Sequence, residues 1–401
     1  MSSGLILTCV AVYTIALFFV TWLTSRGATN ETYFVGNRSS RWYLVAYGMI
    51  GASLSGVTFM SVPGEVDAKQ FSYFQMVLGY LVGYMVIAFV LLPLYYKHNL
   101  TSIYAYLQKR FGNSSYRTGA FFFIVSRTIG AAFRMYIVVN VLQVFVFSQW
   151  GVPFWVTTLL FVVLILIYTY EGGVKTIVWT DTLQTTFMLL SLVLSVILIA
   201  GEFDFNFSEM FTAVTNDERS TIFLGDWQHP RFFPKAFFGG MFIAIAMTGL
   251  DQEMMQKNIS CRSLKEAQKN MVTFSIVLVV VNMLFLFLGV MLWQYANQHG
   301  IAVAKSDDLF PTVALHHLGT VSAVFFVIGL ISAAYPSADG ALTALTASFC
   351  IDFLGFSSPD NKRTDAAKKR IRHIVHIGFA TLLLLVIVIF KIINNATVHG
   401  R

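Results

Sequence analysis

The chain has 401 residues, of which 56% are hydrophobic and 12% are charged, and its formal net charge is +7. A mean hydropathy of +0.68 lies outside the range of soluble globular domains and predicts an integral membrane protein. The apolar blocks are long enough for helices, which need roughly 20 residues to cross a bilayer core of about 30 Å. The alternating pattern of a transmembrane barrel is missing, so the predicted fold class is all-α.

Ten apolar segments predict membrane helices within a single transmembrane domain that covers residues 1–401. In chain order they span residues 4–23, 42–62, 71–96, 119–147, 153–170, 176–200, 235–256, 271–295, 321–349 and 372–393. With the N-terminus outside, most lysine and arginine residues fall in inner loops, which the positive-inside rule favours. This distribution gives the positive charge a topological cause, so no nucleic-acid partner is expected. The expected location is the cell membrane, plasma or inner.

The second predicted helix is rich in glycine, with Gly48, Gly51 and Gly56 in nine residues. Glycine weakens a helix where the bilayer supplies no water to freed carbonyl groups. Two explanations stay open, namely close packing of helices through small residues and a helix broken at the midplane that binds an ion. The seventh predicted helix, five helices later, also combines glycine with polar residues. This spacing predicts a five-plus-five inverted repeat, with halves at residues 42–200 and 235–393.

Some ionisable side chains fall inside predicted helices, and a charge at the bilayer centre costs at least about 2.5 kcal/mol on insertion scales. Arg127 and Arg134 lie one heptad apart in the fourth helix, Asp181 lies near the start of the sixth, and Asp339 lies in the ninth. Such groups usually face a cavity, a partner or an ion. We expect a functional role for the carboxylates, with a structural ion pair or cap as the alternative. For the arginines, substrate contact and snorkelling or pairing remain equally open.

The ninth predicted helix contains a proline, a hydroxyl and a carboxylate in the sequence ISAAYPSADGALTAL. Pro336 has no N–H, so the carbonyl oxygen of Ser332 lacks its helical partner. A hard monovalent cation binds several oxygens, which freed carbonyls, the Ser337 hydroxyl and the Asp339 carboxylate supply. The segment therefore predicts one half of an ion site, and an ordinary proline kink is the alternative.

Three blocks of the sequence resemble the sodium:solute symporter family, and the resemblance extends over essentially the whole chain. They are PLYYKHNLTSIYAYLQKRFG, YTYEGGVKTIVWTDTLQ and TGLDQEMMQKNISCRSLKEAQKN. The resemblance implies a LeuT-like transporter of two inverted five-helix repeats with one extra N-terminal helix. Such a transporter moves a small organic solute with sodium by alternating access. Because family members continue through further helices, it also implies that the second repeat is incomplete and the chain truncated or partial.

The resemblance further implies two groups of sodium ligands. The first group contains the carbonyls of Gly51, Leu54 and Ala333 and the hydroxyl of Ser337. Many relatives have a second hydroxyl where this chain has Pro336, a departure that affects the geometry of this site. In sialic-acid-transporting relatives, Asp181 matches an aspartate of a second sodium site, and Asp339 stands at one of its serines. Two carboxylates at one site either bind sodium strongly or share a proton, so stoichiometry and proton coupling stay open.

The segment LSGVTFMSVPG resembles the sialic-acid members more than the sugar or proline members. The candidate substrate residues are Ser55, Thr58, Arg134, Arg127, Gln75 and Met247. Ser55 and Thr58 fall where those relatives contact a substrate carboxylate, and Met247 replaces the tyrosine gate of the sugar transporters. The expected solute is an organic anion, such as a sialic or other sugar acid.

Other classes of function remain as alternatives. They are a sensory membrane domain of a larger signalling protein, a sodium:sugar or sodium:proline symporter, a channel and an intramembrane enzyme. The sequence contains no HExxH zinc motif and no GxSxG nucleophile elbow, so an enzyme is not expected. Paired broken helices favour a carrier over a channel.

Overall fold

The computed structural model describes residues 3–26, 29–358 and 361–399, and the regular elements of this part of the chain are helices. In chain order the long helices are α1 (Ser3–Thr24), α2 (Trp42–Ser53 and Gly56–Gly64), α3 (Val66–Lys97), α4 (Asn113–Phe145), α5 and α6 (together Phe154–Glu202), α7 (Phe233–Gly249 and Gln252–Ile259), α8 (Leu264–Gln298), α9 (Gly319–Phe353) and α10 (Asp365–His399). Shorter helices at Asn30–Val35, Ala105–Phe111 and Phe207–Thr215 lie in the connections. The all-α fold class is confirmed.

Helices α5 and α6 are divided at Gly173, although the helical segment Phe154–Glu202 runs for 49 residues. Gly173 has φ 56° and ψ −152°, a backbone conformation that residues other than glycine rarely adopt. A Cβ at this position would lie 2.4 Å from the Cα of Tyr33, so glycine is also required for space. The chain turns here from residues 154–172 (α5) into residues 174–202 (α6). Each of the ten predicted segments therefore corresponds to one helix.

Two of these helices, α2 and α7, are bent pairs with bends of 58° and 67°. The break in α2 falls at residues 54–55, and the break in α7 falls at residues 250–251. Both interruptions lie in the helices where the sequence predicted them, five helices apart. The inverted repeat over residues 42–200 and 235–393 stays a prediction.

Helix α9 runs through the centre of the bundle. All residues from Ile331 to Ser348 are buried, and the helix packs against both halves of α2 as well as α4, α6 and α10. Pro336 lies inside the continuous α-helical part, Gly319–Ser348. The polar side chains of this segment therefore face protein and not lipid.

Helices α3 and α7 approach closely because a glycine of each helix faces the backbone of the other helix. A Cβ at Gly79 would lie 2.0 Å from the carbonyl oxygen of Phe237. A Cβ at Gly240 would lie 2.1 Å from the carbonyl oxygen of Met76. Small residues at such contacts are typical of membrane helices, where association depends on close packing.

Candidate ion and solute sites

The break in α2 leaves backbone groups without helical partners. Leu54 has φ −85° and ψ 95°, and Ser55 is extended. Regular bonding resumes when the N–H of Phe59 donates to the carbonyl of Ser55 at 3.0 Å. Within the described residues, the carbonyls of residues 51–54 accept no backbone N–H, and the N–H groups of residues 55–58 find no backbone acceptor. The carbonyls of Gly51 and Leu54 are therefore available to a cation, and the N–H groups are available to an anion.

The glycines of α2 also bring it close to α6. A Cβ at Gly48 would lie 2.9 Å from the Cβ of Asp181, and the N–H of Gly51 donates to Thr185 Oγ1 at 3.1 Å. Both features that the sequence left open as alternative explanations, close packing and a break in the helix, are therefore present in α2. The first half of α2 packs tightly through glycine, and the helix breaks directly after it.

The other half of the predicted sodium site lies on α9. Ser337 is buried, and its Oγ has no hydrogen-bond partner in the described part of the chain. Ala333 lies one turn earlier and is fully buried, and the carbonyl of Ser332 faces a proline that has no N–H. The four residues Gly51, Leu54, Ala333 and Ser337 therefore sit on two helices that pack together around the break.

Asp181 lies at one end of a series of ion pairs that links α6, α7 and α4. Its Oδ2 accepts from Lys257 Nζ at 2.7 Å, and the same Nζ lies 3.5 Å from Glu253 Oε1. Glu253 Oε2 in turn accepts from Arg127, whose other terminal nitrogen lies 3.7 Å from Asp251 Oδ2. We call these five residues the charge chain.

Asp339 is held by neutral donors. The hydroxyl of Tyr168 on α5 donates to Asp339 Oδ2 at 2.7 Å, and Gln184 Nε2 on α6 donates to the same oxygen at 3.3 Å. No lysine, arginine or histidine nitrogen of the described residues lies within 4.0 Å of Asp339. Asp181 Oδ1 and Gln184 Oε1 are buried without partners. Of the oxygens of these three residues, Asp181 Oδ1 and Gln184 Oε1 therefore still lack a donor or a cation among the described residues.

A cavity of about 310 Å³ lies between the two broken helices. Its polar lining consists of Ser53, Ser55, Thr58, Tyr73, Tyr80, Tyr84, Arg127, Arg134, Thr248 and Asn282. Among the described residues that line it there is no carboxylate, so its charged groups are two arginines. The N-terminal end of the second half of α2, with its free N–H groups, opens onto this cavity and adds a positive partial charge.

The cavity adjoins two further spaces of about 420 Å³ each. One shares Val57, Thr58 and Tyr73 with it and lies beside the loop that follows α6. The other shares Arg134 and Met247 with it and reaches the break in α7.

The two arginines of α4 differ in their surroundings. Arg127 belongs to the charge chain and is 8% exposed. Arg134 has no ion pair or hydrogen bond with any described residue, and it lines both the central cavity and the space beside the α7 break. Arg134 is therefore the arginine whose guanidinium is free to bind a solute.

The remaining substrate candidates also differ in whether they line the central cavity. Ser55, Thr58 and Met247 line the central cavity. Gln75 does not, because its amide is occupied elsewhere. Its Nε2 donates to the carbonyl of Arg231 at 3.1 Å, and its Oε1 accepts from the N–H of Leu224 at 3.3 Å. Gln75 thus holds the loop after α6 against α3.

Sequence reasoning missed the partners of the two buried carboxylates, namely Lys257, Tyr168 and Gln184. It also missed Glu253, which contacts Lys257 and Arg127. Glu253 falls inside the predicted segment 235–256, but Glu253 and Lys257 have the i, i+4 spacing that is also typical of an exposed helical ion pair. The available signal was indirect. A buried aspartate without a cation is strongly unfavourable, so Asp181 required a partner from another helix.

Two broken helices around a solute-sized cavity define a multi-pass membrane carrier. Residues 33–398 match the family model of the Sodium:solute symporter family. The chain belongs to this family, as its sequence blocks indicated.

Several curated relatives are similar to this chain. The sodium/sialic acid symporter SiaT of Proteus mirabilis is 23% identical over 350 residues, which are 84% of this chain and 69% of that protein. The sodium/iodide cotransporter of Homo sapiens is 27% identical over 59% of this chain and 36% of its own length. The human sodium-coupled monocarboxylate transporter 2 is 25% identical over 82% of this chain and 53% of its own length. The chain thus spans from about a third to about two thirds of these relatives.

Solved structures show the same fold. A Na⁺-coupled sialic acid symporter in a substrate-bound outward-open state superposes with a TM-score of 0.86 at 22% identity, over 96% of this chain and 82% of that one. Mhp1, a nucleobase-cation-symport-1 family transporter, superposes with a TM-score of 0.55 at 15% identity, over 88% of this chain and 76% of that one. The LeuT-like architecture predicted from the sequence is confirmed at the level of the fold.

Proposed function

We propose that this protein is a sodium-coupled symporter of a small organic anion that works by alternating access. The observation that carries the choice of solute is Arg134, a partly buried arginine that has no ion pair or hydrogen bond with any described residue. It lines a cavity that has no carboxylate in its described lining. An unpaired charge inside a membrane protein is unfavourable, and an anionic solute supplies the missing partner. Arginine also binds carboxylates through two parallel hydrogen bonds.

The rest of the cavity suits the same kind of solute. The free N–H groups of residues 55–58 and the hydroxyls of Ser55 and Thr58 are donors at the positive end of a helix. A volume of about 310 Å³ lies at the lower end of the range of ligand pockets, about 300–1,000 Å³, and is enough for a small organic molecule. The relatives named above include symporters for a sialic acid, iodide and monocarboxylates, which are anions. A neutral sugar would leave Arg134 without a counter-charge, and proline would bring its own ammonium group into a cavity whose described lining has no carboxylate.

For the coupling ion we propose sodium at the α2 break. Its ligands would be the carbonyls of Gly51, Leu54 and Ala333 and the hydroxyl of Ser337. The free carbonyls of α2 and the unpartnered Ser337 Oγ support this assignment, since sodium binds oxygen ligands. Asp339 adds a negative charge from the same helix.

We place the protein in the plasma or inner membrane with its N-terminus outside. The distribution of lysine and arginine supports this orientation. The relatives are transporters by name and give no support to a sensory membrane domain.

The decisive experiment is gradient-driven uptake by the purified protein in proteoliposomes. The panel contains N-acetylneuraminic acid, lactate, glucose and proline, each with an inward gradient of sodium or of choline. We expect accumulation of an acidic member of the panel with sodium and none with choline. Accumulation that is unchanged in choline would rule out sodium coupling, and uptake of glucose or proline alone would rule out the anion.

A further inference from the structure

The ion pair between Lys257 and Asp181 changes what the second predicted sodium site can bind. Both partners are buried, with 3% and 1% of their side chains exposed, and Nζ lies 2.7 Å from Asp181 Oδ2. At this distance the ammonium group occupies the space in which a mobile cation would contact the same oxygen. An ammonium group and a sodium ion carry the same charge, so one replaces the other electrostatically.

We propose that the ammonium of Lys257 is a resident cation that takes the place of a mobile sodium ion at Asp181. The inference rests on the proposed sodium coupling and concerns how many ions the protein binds. It assigns to Lys257, which stands outside the predicted ligands, the role of setting the ion stoichiometry.

The surroundings of Asp181 show that this location is built for a cation. Asp181 Oδ1 and Gln184 Oε1 are buried oxygens without hydrogen-bond partners among the described residues. Asp339 lies next to Gln184, because Gln184 Nε2 donates to its Oδ2. Two carboxylates and an amide oxygen form a ligand set of hard oxygens, which favours a hard cation.

Lys257 is held so that it cannot leave this position easily. It lies on the second half of α7, one turn after Glu253, whose Oε1 is 3.5 Å from Nζ. Glu253 is itself fixed by Arg127 of α4. The lysine thus has two carboxylates, and moving it into the apolar interior would expose an unpaired charge to a medium of low dielectric constant.

The carboxylate pair of Asp181 and Asp339 therefore has one fixed cation for two negative charges. Asp181 is matched by Lys257, and Asp339 is not matched by any basic side chain of the described residues. A sodium ion at Asp181 would have to lie beside the ammonium group of Lys257, which repels it. The chain is thus built to bind one sodium ion fewer than the same protein without Lys257.

The test counts sodium ions with purified protein in detergent, by equilibrium binding of radioactive sodium at saturation. The variant Lys257→Met removes the charge and keeps the length of the side chain. We expect it to bind about one sodium ion more per chain than the wild type, because Asp181 becomes free. An unchanged or lower count in a folded Lys257→Met protein would overturn the inference.

The double variant Asp181→Asn/Lys257→Met guards against misfolding, since it removes both charges together and leaves neither unpaired. We expect it to bind as many sodium ions as the wild type. Loss of a sodium ion in the double variant would show that Asp181 binds sodium in the wild type, which also overturns the inference.

The same measurements separate this inference from the proposed function. If the wild type bound no sodium and accumulated no solute, the proposed function would fail. A gain of about one sodium ion in Lys257→Met would still support the resident cation.

Discussion

The hydroxyl of Ser337 is the smallest group on which the proposed ion site depends. It is buried, and its Oγ has no hydrogen-bond partner among the described residues, a situation that costs about 1–3 kcal/mol for a polar group. A bound sodium ion would remove this cost by supplying the partner. Ser348 on the same helix contrasts with it, because its Oγ donates to Asp352 at 2.6 Å.

We predict that Ser337→Ala weakens sodium binding without lowering the stability of the ion-free protein. The substitution removes a ligand but breaks no hydrogen bond, so the apparent sodium affinity in uptake should fall about tenfold or more, or about 1.4 kcal/mol. The control Ser348→Ala should lower the thermal midpoint and leave sodium dependence unchanged. Equal sodium dependence in wild type and Ser337→Ala would remove Ser337 from the site.

Arg134 allows a sharper test at the same scale. We predict that Arg134→Gln raises the KM for the anionic solute by about ten- to 150-fold, because a hydrogen bond to a charged group contributes about 1.5–3 kcal/mol. The control is Arg117→Gln, an exposed arginine of the same helix outside the cavity, which should transport normally. A KM that rises equally in both variants would contradict a specific role for Arg134.

The sequence could place Arg127, Arg134, Asp181 and Asp339 in helices, but it could not assign their partners. Arg127 and Arg134 are one heptad apart and have the same chemistry, and they differ in their ion pairs, of which the shortest joins Arg127 to Glu253. That contact joins positions separated by 126 residues, and local pattern contains no information about it. The oxygens proposed as sodium ligands were easier to select from the sequence, since glycine and proline directly indicate where backbone carbonyls lose their helical partners.

At the scale of helices, the breaks in α2 and α7 were predictable because glycine and polar residues interrupt apolar runs there. The boundary between α5 and α6 was predictable as a short gap in hydrophobicity, which the structure reduces to a single non-helical residue, Gly173. The continuous path of α9 through Pro336 was not predictable, since a proline kink and an ion site both fitted the sequence.

Adjacent glycines in α7 provide a matched test of helix packing. We predict that Gly240→Ala lowers the free energy of unfolding by about 1–3 kcal/mol, because its Cβ would meet the backbone of α3. Gly239→Ala should change stability little, since nothing lies within 4 Å of its Cβ position. Thermal unfolding in detergent measures both, and equal midpoints would contradict the close contact between α3 and α7.

At the scale of the whole molecule, the positive charge of the loops sets the orientation that we propose. In a Cys9→Ala background, a cysteine at Asp226, in the exposed loop after α6, should react with a membrane-impermeant maleimide from outside intact cells. A cysteine at Lys109, in the exposed connection after α3, should react only after the membrane is opened. The reverse pattern would invert the topology. Cys261 and Cys350 are buried and should contribute little background.

Glu253 connects the two proposed sites, since it is shared by Arg127 at the edge of the solute cavity and by Lys257 at Asp181. If solute binding changes the contact between Arg127 and Glu253, the electrostatic field at Lys257 and at the nearby carboxylates changes as well. Thermodynamic reciprocity requires that the reverse also holds, so an ion near Asp339 must alter solute affinity by the same factor. Glu253 thus provides a direct electrostatic connection between the proposed solute site and the proposed ion site.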